Sequence, residues 1–175
     1  MKNKFFMVLL FFIIIAFSCR LLFLQYQKNQ IVYHTNQHIS LLKQIGNEIE
    51  EKPILEGDEE YLEHIFVLLL EADNEYNKAT LIRNEYNLWG GSFTSSYRLI
   101  TDVLFNLLDC IDNIDNIEQE KLLYVQSDLS NIALYMEKHY PEGIKKYKDT
   151  IYGNTQWTDY EEEVMNYGLG RFNFD

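Results

Sequence analysis

The 175-residue chain carries 27 acidic and 15 basic side chains, for a formal charge of −12, and 47% of its residues are hydrophobic. All 27 acids lie beyond residue 24 together with 12 of the 15 bases, so the region that follows is more acidic still, at a formal −15. A surface of that sign repels nucleic acid and anionic lipid headgroups, which leaves proteins or cations as the expected partners.

The first element is an apolar helix. Lys2 and Lys4 precede thirteen unbroken apolar residues from Phe5 to Phe17, and no acid appears before Glu48. Residues 5–24 would form a helix of about 30 Å, the thickness of a bilayer hydrocarbon core. Three fates fit the segment. A retained signal-anchor helix resumes its apolar run at Leu21 to Leu24, with Arg20 near enough to the interface to snorkel. A cleaved signal peptide would use the small residues Ala16 and Ser18, but would leave an apolar mature end. In a lipoprotein, Cys19 is the candidate lipidation site, yet Ala16 and bulky Phe17 stand where a lipobox carries a branched aliphatic and a small residue. The retained helix is the reading adopted, N-terminus inside and C-terminal domain extracytoplasmic, from the charge at Lys2, Lys4 and the amino terminus.

Residues 25–51 continue this helix outward, with Ile31, Leu42, Ile45 and Ile49 on one side. His34 and His38 have the i, i+4 spacing of a zinc helix. Thr35, however, stands where a metalloprotease needs its general-base glutamate, so no catalytic metal follows. Both histidines are expected to face solvent. The alternative joins them with Cys110 and a nearby carboxylate such as Asp73 in an interhelical metal site, with His38 level with Ala72 and Cys110.

Pro53 and Gly57 close this helix. Residues 58–88 then step through Leu62, Ile65, Leu69, Ala72, Tyr76, Ala79, Arg83 and Tyr86, a bundle-facing stripe in which only Arg83 is out of character. After Gly90 and Gly91, residues 92–114 repeat the pattern with Tyr97, Ile100, Leu104, Leu107, Ile111 and Ile114. The polar stretch of Asp109, Asp112, Asp115 and Glu118 lacks the alternating ligands and glycine of an EF-hand, and reads as a solvated helix end. Residues 118–140 carry the last stripe, Leu122, Val125, Leu129, Ile132, Met136 and His139, before Pro141 and Gly143. Antiparallel register brings Arg83, Tyr97 and His139 toward the membrane-proximal end, where they are the candidate lining of a polar pocket. Residues 144–175 hold Tyr147, Tyr152, Trp157, Tyr160, Tyr167, Phe172 and Phe174, and are expected to form one or two short helices packed on the bundle.

The expected fold is all-α, an N-terminal transmembrane helix (1–24) continuing into an antiparallel up-down-up-down four-helix bundle over 25–143. Two cysteines, one at the membrane and one inside a helix, do not make a disulfide framework. No nucleophile with a base partner and no phosphate-binding glycine loop is present, and no motif carries a family resemblance. The expected function is therefore non-enzymatic, with no cofactor and no metal: a membrane-anchored protein-interaction, accessory or regulatory factor. A ligand- or metal-binding bundle is the alternative. Abundant Asn, Ile, Lys and Tyr with two prolines points to a bacterial source.

Overall fold

The structure, a computed structural model, describes residues 2–56, 58–86, 98–113 and 119–144. Among the described residues four α-helices follow one another: α1 (Lys2–Glu51), α2 (Glu59–Tyr86), α3 (Arg98–Asp112) and α4 (Gln119–His139), with a 3-10 turn at Ile54–Glu56. The described residues contain no strand. The tail from residue 145, and with it the expected short C-terminal helices, lies outside the described residues.

Helix α1 is unbroken for 50 residues because nothing in it breaks it. Its first glycine is Gly46 and it has no proline, while Pro53 stops it by denying the helical conformation to the residue before it. The helix has two halves with opposite surroundings. Every residue from Phe6 to Phe23 is exposed, whereas Ile31, Thr35, His38, Ile39, Leu42, Ile45 and Ile49 are buried at three- and four-residue steps. The first half is long and apolar enough to cross a membrane.

The second half packs on α2 and α4, and α3 closes the bundle between those two. Register is read from side-chain bridges. On α2, Tyr61 reaches the carbonyls of Glu48 and Lys52, His38 reaches the Ala72 carbonyl and His34 reaches Glu75, so α2 descends as α1 rises. Gly46 meets Ala133 of α4, and Asn36 meets Ile144 just past the end of α4, an antiparallel pair again. The core is the set of stripes: Leu62, Ile65, Leu69, Ala72, Tyr76 and Ala79 from α2, and Leu122, Val125, Leu129, Ile132 and Met136 from α4. In α3 the stripe is rotated from its expected setting. Val103 and Cys110 are buried with Ile100 and Leu107, while Leu104 and Ile111 are only half-buried.

Helix ends are finished by neighbours. Asp58 caps α2, its Oδ1 accepting from the Tyr61 amide at 3.0 Å, and Glu59 and Glu60 complement the positive end of the helix dipole. The Tyr61 hydroxyl bridges carbonyls at the close of α1, 2.7 Å from Lys52 O and 3.2 Å from Glu48 O, the latter already accepting from the Lys52 amide at 2.8 Å. At the close of α4, Lys43 donates to the carbonyls of Tyr140 at 2.6 Å and Pro141 at 2.9 Å. Asn36 grips Ile144 with both ends of its amide, accepting from the backbone N–H at 2.7 Å and donating to the C=O at 3.0 Å. Gly143 lies between these contacts at φ +70°, a left-handed turn suited to glycine. Replacing Asn36 by Ala strands two half-buried backbone groups. The expected loss is about 1–3 kcal/mol, and faster hydrogen exchange at the Ile144 amide than in wild type checks it.

Candidate functional site

Polar groups inside the bundle concentrate on the seam between α1 and α2. His38 is fully buried; its Nδ1 lies 2.8 Å from the Ala72 carbonyl and its ring 5.4 Å from that of Tyr76. A ring nitrogen facing a carbonyl must carry the proton, which fixes the Nδ1–H tautomer. Burial depresses the His38 pKa to about 4, with the Ala72 hydrogen bond and the Glu75 charge only partly offsetting that. One turn away, Thr35 is buried too and donates to the Ile31 carbonyl at 2.8 Å, the usual resolution for a hydroxyl inside a helix.

His34 stands on the rim of the same seam, its Nδ1 2.7 Å from Glu75 Oε2, with both side chains 17% exposed. Lys78 bonds the other oxygen of Glu75. Burial alone would raise the Glu75 pKa, but the hydrogen bonds from Lys78 and His34 outweigh it and hold the carboxyl below its usual range. A cleft of about 320 Å³ opens here, lined by Tyr33, Gln37, Leu41, Asn74, Glu75 and Lys78 among others. Farther along the seam, His64 pairs with Glu48 at 2.9 Å. A second, larger groove of about 440 Å³ lies between α1 and α4 beside Gly46 and Ala133.

Several sequence-derived sites are placed by this geometry. The histidines do not face solvent as expected: His38 is in the core and His34 is turned into the seam, because the stripe that buries Ile31, Leu42 and Ile45 also runs through positions 34 to 39. Asp73 hydrogen-bonds Asn77, and its pKa is raised by burial. Among the described residues no group of three His, Cys, Asp or Glu side chains converges in a manner able to hold a metal ion. Cys110 is buried, which pushes its thiol up and away from the reactive thiolate, while Cys19 is exposed on the apolar half of α1. Asp109 pairs with Lys121 across the α3–α4 connection, and Asp112 is exposed; Asp115 and Glu118 lie outside the described residues. Of the pocket residues, His139 is exposed and stacks on Tyr135 with ring centroids 4.4 Å apart. Tyr97 and the side chain of Arg83 lie outside the described residues.

Sequence reasoning missed Asn36, Lys43, Gly46 and the buried Asp128. A signal for the first two exists in their seven-residue spacing, which puts them on one helix face toward α4. Nothing local marks Asp128, which sits within an apolar stripe between Val125 and Leu129. No protein-family model, curated protein or solved structure matches this chain.

Proposed function

We propose that this chain is a single-pass membrane protein whose acidic helical ectodomain binds another protein at the outer face of a bacterial membrane, without catalysis. The observation that carries the reading is the division of α1. One continuous helix is wholly exposed and, but for Ser18 and Arg20, apolar from Phe6 to Phe23, and it forms a wall of the bundle core from Ile31 to Ile49. An apolar surface of that size is stable in lipid rather than in water. With no glycine or proline between the two halves, a load or a rotation at one end is passed to the other. Lys2 and Lys4 set the N-terminus inside by charge bias.

Protein partners suit the outer surface. Glu48, Glu50, Glu51, Asp58, Glu59, Glu60 and Glu63 crowd the end of the bundle far from the apolar half, so a basic partner surface is the complement. Crosslinking of the full-length chain in intact cells should recover one reproducible partner; a monomer under several crosslinkers overturns the interaction role. The anchor is tested separately. Cys19→Ala should leave the protein in the alkali-washed membrane fraction, and its release would transfer the anchoring role to a lipid on Cys19.

The second reading, a ligand- or metal-binding bundle, is favoured by His34. A ring whose Nδ1 is committed to a carboxylate presents Nε2 as an acceptor, the arrangement by which second-shell carboxylates prepare histidine ligands, and the adjoining cleft gives room. Elemental analysis of the purified protein separates the readings, since stoichiometric zinc, copper or iron lost on His34→Ala supports the second.

A further inference from the structure

The pairing of α1 with α2 sets how close the bundle comes to the end of the apolar half-helix. His34 faces Glu75 and His38 faces Ala72. Continued residue for residue, that antiparallel register puts Leu81 level with Lys28 and the last residue of α2, Tyr86, level with Phe23. Burial along α1 agrees. Every residue from Phe6 to Phe23 is exposed, and partial cover begins at Leu24 and returns at Gln27 and Lys28. Helix α4 stops far short, since Ile144, five residues past its end, stands beside Asn36, about 18 Å farther out along α1 than Leu24.

We infer that the last two turns of α2 are seated in the headgroup layer of the bilayer, so that the bundle rests on the membrane through α2 instead of being held off it by a free stalk. This rests on the reading of residues 5–24 as a membrane span. If Leu24 marks the hydrocarbon edge, Leu81 stands about 6 Å above it, within the 5–7 Å or so that headgroups add on each side. Leu81 is 61% exposed and Ile82 is half-buried, an apolar surface at the one level of the bundle where water gives way to lipid. Lys28 shares that level, and a half-buried lysine with a long apolar stem suits a headgroup layer. The acid-rich end of the bundle does not oppose the contact, because Glu48 is about 36 Å above Leu24 and screening acts within ~8 Å at physiological salt.

Spin labels on the full-length chain test this. Single cysteines replace Ile13, Leu81 or Val67 in a Cys19→Ser, Cys110→Ala background, and the protein is reconstituted in phosphatidylcholine vesicles. Collisions with oxygen, which partitions into lipid, and with a water-soluble nickel chelate are then measured. The label at position 81 should collide with nickel several-fold less, and with oxygen more, than the label at 67, which sits about 21 Å farther out. Equal nickel access at 81 and 67, with 13 shielded, overturns the seating and leaves the span intact. Loss of both oxygen and nickel access at 81 means protein cover and also overturns it. Nickel access at 13 defeats the span itself, and the seating with it.

Discussion

Replacing Gly46 by Ala should destabilise the bundle although it improves the local helix. A Cβ at Gly46 would stand 2.2 Å from the Ala133 Cβ and 3.7 Å from its Cα, far inside contact distance. The obstacle is a methyl fixed to the backbone, so no rotamer change relieves it. Helices α1 and α4 must part, and the groove along Asn47, Glu50, Ser130 and Leu134 widens with them. Ala gains about 1 kcal/mol over Gly in helix propensity, whereas forcing an extra carbon into a packed crossing costs about 1–3 kcal/mol or more when backbone must move. The steric term wins here because the overlap exceeds an ångström. The expected net loss is about 2 kcal/mol, several degrees in Tm by circular dichroism. Ala133→Gly added to Gly46→Ala should recover most of it, since the pair merely exchanges which helix bears the methyl. A double variant no more stable than Gly46→Ala would show that the crossing is not tight.

Acid should destabilise the bundle well before carboxylates titrate, and His38 is the reason. Folded, its imidazole stays neutral down to about pH 4; unfolded, it titrates near the ordinary histidine value of 6.5. Between those values the unfolded chain binds a proton that the folded chain excludes. Stability is therefore full above pH 6.5 and falls as pH drops toward 4, by about 1.4 kcal/mol per pH unit, or ~3 kcal/mol in all. Glu75 acts in a lower window. Its depressed pKa gives stability that is present above 4.5 and is lost as pH falls further. Urea titrations at successive pH values should show the steep His38 region in wild type and a nearly flat one in His38→Gln, which keeps a donor for the Ala72 carbonyl. An unchanged slope in His38→Gln would assign the acid response to other groups.

Both predictions arise from contacts between helices, and that marks the line between what was legible in the chain and what was not. The sequence by itself determined the four helices among the described residues, most of the stripes of α2 and α4, and the apolar half of α1, while the α3 stripe sits rotated from its expected setting and His139 stays outside. Three- and four-residue spacing is a local property of a 3.6-residue turn, and Leu62, Ile65, Leu69, Leu129 and Ile132 are buried where that spacing puts them. It also determined the stop at Pro53, because the constraint is carried by one residue and its neighbour. Only the tertiary structure decided which polar residues went inside. His34 and His38 looked exposed because each is hydrophilic, yet the wall that α1 presents to two neighbours is wider than one apolar stripe and takes them with it. Their partners, Glu75 and the Ala72 carbonyl, are 41 and 34 residues away, a separation that no local pattern reports. The same holds for Gly46, whose missing side chain has meaning only opposite Ala133, and for Asn36, whose amide fits only a turn 108 residues on. Burial of a polar group is set by what faces it, and what faces it is fixed by the antiparallel register of whole helices.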